Sequence, residues 1–210
     1  MNNIIKLSNL EANILYVFIR NFDLEISILQ LSKEVKYHYA NVYKTIKSLK
    51  NKDLVKLKTV GKASICSLNK KSSKLPVYLA FVEELKSQNI LFKKFPFLKR
   101  LIEEIKNITP VACIGMFGSY VDKSANKESD IDIFILVEKN KIKNLKNFIP
   151  KYFPEFENKV DLNIISFEEF IDSLKNKQFT VSKEVMKNKL IINGAETYYN
   201  ILQEVQKWKN

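Results

Sequence analysis

Residues 118–138 read GSYVDKSANKESDIDIFILVE. A Gly-Ser pair opens the stretch, and ten residues later Asp130-Ile131-Asp132 leads an apolar run. Residues two apart on a strand share a face, so Asp130 and Asp132 point one way while Ile131 and Ile133 point to the core. A buried carboxylate without a partner is costly, so this acidic face needs a cleft and a counter-charge. The segment KVDLNIIS, residues 159–166, reads as another strand, with Asp161 and Asn163 on one face. If the two strands are neighbours, Asp130, Asp132 and Asp161 converge. Three converging carboxylates repel each other, and a hard divalent cation such as Mg²⁺ resolves the repulsion; two-metal sites set their ions about 3.5–4 Å apart. Gly118 permits close backbone approach, a helix starting after it presents N–H groups to phosphate, and Ser119 adds a hydroxyl donor.

The surrounding chain fits this reading. From Pro110 strands alternate with helices. VACIGMFGS is an apolar strand ending at the Gly-Ser pair, and SDIDIFILVE is the next. KNKIKNLKNFIPKYF is a helix, and SFEEFIDSLKN is another that Ser166 can cap. The chain ends with a turn near Gly194 and a last helix. Upstream, KLPVYLAFVEELKSQN and FPFLKRLIEEIKN read as helices, with Pro76 in a first helical turn and Pro96 forcing a break.

The first seventy residues have another pattern. Ser8-Asn9-Leu10-Glu11 has the form of a capping box opening a helix. A short extended piece, DLEISI, leads into the helix ILQLSKEVK. A third helix, ANVYKTIKSLKNKD, places Val42, Ile46 and Leu49 at helical spacing. LVKLKTV and ASICSLN then alternate around Gly61 as the arms of a hairpin. Residues 10–69 resemble the winged helix-turn-helix family in this order, and Tyr43 to Lys56 is similar to its third helix running into the wing. The resemblance implies binding of duplex DNA, with Tyr39, Asn41, Lys44, Thr45 and Lys47 on the exposed face of the third helix and Lys58 and Lys62 on the wing.

Gly118-Ser119, the spacing to Asp130-Ile131-Asp132, and Asp161 on a later strand together resemble the DNA polymerase β-like nucleotidyltransferase superfamily, most closely its minimal members. The resemblance covers about residues 108–205. It implies transfer of a nucleoside monophosphate from an NTP, with ATP the first expectation, to a hydroxyl. Asp130 and Asp132 would hold two Mg²⁺ ions, and Asp161 the catalytic one. Gly118, Ser119 and Lys123 would contact the nucleotide. Many minimal members carry an Arg-Gly pair where this chain has Asp122-Lys123, so a cation and a turn glycine are replaced.

The fold class expected is therefore α+β: a winged helix-turn-helix domain over 1–69, a helical linker or dimerisation element over 70–109, and a polymerase-β-like nucleotidyltransferase domain over 110–210, its mixed sheet flanked by helices. Two functions follow from it. One is a Mg²⁺-dependent nucleotidyltransferase acting on a protein, such as a toxin-like partner, or on an RNA end. The other is a regulator, antitoxin-like, whose transferase fold only senses nucleotide.

Composition sets the outer limits. The 210 residues carry a formal net charge of +12, and 46% are hydrophobic, enough for a sizeable core. Residues 33–74 hold 12 Lys and 2 acids, so +10, and this local excess points to a polyanion as partner. Cys66 and Cys113 stand far apart on separate strands and read as buried free thiols; one histidine and no C-x-x-C argue against zinc. No apolar run approaches the roughly 20 residues of a membrane span, and MNNIIKLSNLEAN lacks the charged and apolar regions of a signal peptide, so the expected location is cytoplasmic, with no membrane partner and a homodimer possible in principle.

Overall fold

The computed structural model describes residues 5–122, 124–152, 159–175 and 181–207. The chain divides into two compact units, Met1–Val82 and Glu83–Asn210. The division falls inside the segment read as a linker.

In the first unit, α1 (Asn9–Arg20) starts at a complete capping box. The Glu11 amide donates to Ser8 Oγ at 3.2 Å, and the Ser8 amide donates to Glu11 Oε2 at 2.8 Å. A two-residue strand β1 (Ile26–Ser27) leads into α2 (Ile28–Val35), whose N-cap Ser27 accepts from the Gln30 amide. α3 (Tyr39–Asn51) follows, then the hairpin β2 (Val55–Val60) and β3 (Ala63–Leu68). Gly61 takes a φ of 58° at the two-residue hairpin turn, where a side chain would be strained. The three strands form an antiparallel sheet in the order β1-β3-β2. Ile14, Leu15, Phe18 and Ile19 of α1 are buried, as are Leu31 of α2 and Val42, Ile46 and Leu49 of α3. This is a winged helix-turn-helix fold. α4 (Leu75–Glu83) closes the unit, with Leu75, Leu79 and Val82 buried.

The second unit begins with a π turn at Glu84–Gln88, α5 (Asn89–Lys94) and α6 (Phe97–Ile108). Pro96 separates the two helices, as its missing N–H requires. Four strands follow: β4 (Cys113–Phe117), β5 (Ile131–Val137), β6 (Val160–Ser166) and β7 (Lys189–Asn193). Their order is β6-β5-β4-β7, with β5 and β6 parallel and the other pairs antiparallel. The single turn α7 (Ser119–Asp122) follows β4. α8 (Ile142–Tyr152) joins β5 to β6, and α9 (Phe167–Lys175), α10 (Val181–Lys187) and α11 (Ala195–Lys207) complete the unit. Ser166 and Glu169 form a second reciprocal capping box at α9, at 3.0 and 3.2 Å. The sequence reading missed β7 and α10. β7 pairs with β4 across the intervening residues 118–188, and local pattern does not report such pairing.

β4 and β5 are buried along both faces apart from Asp132. Gly115 faces Phe134 across the pair; a Cβ there would come within 2.5 Å of the ring. The Phe134 ring meets Tyr198 of α11, and Tyr198 meets Phe170 of α9, which binds both helices to that face of the sheet. Both cysteines are buried and free, and burial pushes the Cys66 thiol up to about 12. No helix among the described residues is long and apolar enough to cross a membrane.

Candidate active site and nucleic-acid interface

One row across the sheet gathers the acids. Asp161 of β6 pairs with Asp132 of β5, Asp132 with Phe117 of β4, and Phe117 with Lys189 of β7. Adjacent strands lie about 4.8 Å apart, and partners in register share a face, so Asp132 and Asp161 stand side by side. Asp130 lies one residue before β5, exposed, where the Ile131 amide donates to the Lys159 carbonyl at 2.8 Å. The carboxyl of Asp132 is held above the ordinary aspartate range, first by burial, then by the charges of Asp161, Asp130 and Glu184. Three acids therefore act on Asp132, and Glu184 of α10 is one that the sequence reading did not include.

Gly118 is in direct contact with this point. Its φ is 68°, and a Cβ built on it would meet Asp132 Oδ2 at 2.1 Å and Cγ at 2.9 Å. The free space above the glycine is taken by the carboxylate itself, so the Gly-Ser corner and the acids form a single site. The amides of Val121 and Asp122 donate back to the Gly118 carbonyl, which winds α7. Ser119 opens that turn, half-buried. Asp122 Oδ1 accepts from the Ser124 hydroxyl and from its amide at 2.8 Å, and these bonds hold its carboxyl below the usual range. Asp122 thus fixes the loop. Lys123 lies outside the described residues.

Asn163 stands two residues beyond Asp161, and its Nδ2 donates to Asp161 Oδ2 at 3.1 Å. That bond engages one carboxylate oxygen of Asp161 and orients the group. The sequence places Asn163 on this face; the bond that gives it a purpose is visible only in three dimensions. Among the described residues no group of three His, Cys, Asp or Glu closes around one metal-sized point. The acids form an open row, not a cage.

Residues 98–196 match the family model of the nucleotidyltransferase domain. They form a nucleotidyltransferase domain. No curated protein matches the chain. Among solved structures the chain is similar to a homodimeric winged helix-turn-helix DNA-binding domain of Mycobacterium bovis, a possible ArsR-family regulator, at 12% identity over 40% of this chain and 72% of that one, TM-score 0.32. Lactococcus lactis ZitR gives 22% identity over 50% and 80%, TM-score 0.34. A toxin-antitoxin with AMP-PNP gives 18% over 53% and 86%, TM-score 0.33. Likenesses this remote say nothing of partners.

The second unit has a polar cluster in its core as well. Lys189, 1% exposed, sits with its ammonium 5.1 Å from the centroid of the Tyr198 ring and 5.7 Å from that of Tyr199. Burial lowers its pKa, opposed by the charge of Glu83. Glu83, fully buried, accepts from the Tyr199 hydroxyl at 2.7 Å and from the Ile191 amide at 3.3 Å. A lysine in KLIIN gives no sign in the sequence that it is core.

In the winged-helix unit the predicted interface residues fall on the surface. Tyr39, Asn41, Lys44 and Lys47 are exposed on α3, and Thr45 is half-buried, its hydroxyl donating to the Asn41 carbonyl at 2.8 Å. Tyr39 stacks on Tyr43, with ring centroids 6.0 Å apart, and the Lys47 ammonium lies 4.6 Å from the Tyr43 centroid. Lys58 and Lys62 are exposed on the wing, Lys58 paired with Glu25 at 3.1 Å. Tyr37 and His38, exposed in the turn before α3, pack into no core.

Proposed function

We propose that the second unit transfers a nucleoside monophosphate from an NTP, ATP first among them, to a hydroxyl of a protein or RNA acceptor, and that the first unit holds duplex DNA. The observation that carries the reading is the contact of Gly118 with Asp132 inside the row of mutually repelling carboxylates. Hard oxygen donors in an open row fit Mg²⁺, which leaves coordination positions to phosphate oxygens. Asp130 and Asp132 would hold two ions, with Asp161 sharing one. When bound, Mg²⁺ offsets the repulsion of the acids and the charge of the triphosphate.

The remaining work falls to the chain. The Gly118-Ser119 corner positions the phosphates, with the Ser119 hydroxyl as donor. Asp161, oriented by Asn163, faces the acceptor hydroxyl and takes its proton. The hydroxyl oxygen bonds to the α-phosphorus as the α–β bridging bond breaks, and pyrophosphate leaves with the electron pair. The test is incubation with α-labelled NTPs and Mg²⁺, with and without lysate of the native host, beside Asp130→Ala/Asp132→Ala. A labelled band lost in the variant supports the reading. No band, alongside measurable binding of Mg·NTP, would favour the regulator that senses nucleotide, for which the basic winged-helix face is the supporting observation.

A further inference from the structure

The nucleotide corner carries more negative charge than the groups already assigned to it can meet. Asp130, Asp132, Asp161 and Glu184 lie around it, Asp122 lies in its loop, and a triphosphate would add about four further negative charges. A cation from outside the motif stands against this corner. Tyr120, the residue after Ser119, is clamped by Phe95: the rings meet edge to face with centroids 5.3 Å apart, and Phe95 is buried. This contact brings the end of α5 to the loop. The Lys94 ammonium then lies 4.7 Å from the Tyr120 ring centroid and 5.4 Å from that of Phe95. Lys94 is exposed and forms no ion pair among the described residues. Its charge rests on an aromatic face beside the residue that follows Ser119, and no carboxylate among the described residues pairs with it.

We propose that Lys94 is the triphosphate-contacting cation of this site, held beside Ser119 by the Phe95–Tyr120 contact and directed at the β- and γ-phosphates. The inference rests on the nucleotide-binding part of the function proposed above, and it deepens that reading by assigning the group that tells a triphosphate from a monophosphate. An aromatic face holds an ammonium weakly and without neutralising it, so the charge is surrendered readily to a phosphate. A carboxylate partner would compete with the phosphate.

The test is binding, read by calorimetry on the full chain. Mg·ATP and AMP are titrated into the wild type, Lys94→Ala, Lys94→Arg and Tyr120→Leu. Lys94→Ala is expected to weaken Mg·ATP roughly tenfold, the loss of one charge-assisted contact, and to leave AMP unchanged. Lys94→Arg should restore most of the affinity, and Tyr120→Leu should fall between. Equal Mg·ATP affinity in wild type and Lys94→Ala overturns the proposal, as does an equal loss for ATP and AMP. Absence of Mg·ATP binding by the wild type overturns it too, together with the transferase reading. Binding that depends on Lys94 in a protein that transfers nothing would support this inference while removing catalysis from the function. Lys94 is exposed, so the folded state should survive its replacement; equal thermal unfolding of the variants confirms it.

Discussion

Asp132 is the residue on which most of the physical conflict falls. Burial and three neighbouring acids hold its pKa up, so its ionised form is less stable in the folded chain than in the unfolded one. The sign follows by linkage. The folded state binds the proton more tightly, so Asp132 costs stability at high pH; the cost begins to shrink as pH falls through the raised folded value and is gone below the ordinary aspartate value. Asp132→Asn is therefore expected to raise the Tm of metal-free protein at pH 7 while abolishing transfer, and Mg²⁺ is expected to raise the Tm of wild type but not of the variant. Calorimetry with and without Mg²⁺ reads both; a lower Tm for metal-free Asp132→Asn would contradict the strain.

Three other residues carry predictions of their own. Gly118→Ala forces a Cβ against Asp132 Oδ2 at a φ of 68°, and a loss of about 1–3 kcal/mol in chemical denaturation is expected, together with loss of transfer. Asn163→Ala should lower kcat about tenfold with KM little changed, since it disturbs only the orientation of Asp161; a rise in KM alone would place Asn163 in substrate binding instead. Glu11 behaves oppositely to Asp132. Burial raises its pKa, but bonds from Lys52 at 2.7 Å, the Ser8 amide and Ser48 outweigh that, and the net shift is downward. Its stabilisation is present above the ordinary value of 4.5 and is lost as pH falls through the lower folded value. Glu11→Gln should cost about 1–3 kcal/mol at pH 7 and less in acid.

At the scale of elements, α3 and the wing separate two kinds of lysine. Lys58 is tied to Glu25, whereas Lys44 and Lys47, on the exposed face of α3, form no ion pair among the described residues, and Lys47 lies on an aromatic ring. Lys44→Glu/Lys47→Glu is expected to flatten the dependence of log K on log salt for duplex DNA by about two units. An unchanged slope in a fluorescence anisotropy titration would move the contact away from α3.

Elements with a local signature were legible in the sequence. Ser8 and Glu11, Ser166 and Glu169, the Gly61 turn and the Pro96 break each announce a boundary through their own chemistry. The acids were legible through the two-residue period of a strand and the spacing to Gly118. What escaped was non-local. β7 is defined by its pairing with β4, and its Lys189 argues against burial until the rings of Tyr198 and Tyr199 and the charge of Glu83 are seen around it. Glu184 reaches Asp132 from a helix with no motif, and Lys94 reaches Tyr120 only because Phe95 packs there. The room at Gly118 was predicted, but its occupant is Asp132.

For the whole molecule, a winged-helix unit and a nucleotidyltransferase domain share one chain, with most of the excess positive charge in the first. The central claim concerns which phosphate moves. The most direct measurement compares α-labelled with γ-labelled ATP in the same Mg²⁺-containing reaction with the acceptor. The α-label is expected on the acceptor and the γ-label in released pyrophosphate, both lost in Asp132→Asn. Label from the γ-position on the acceptor, or no transfer of either, would contradict the account.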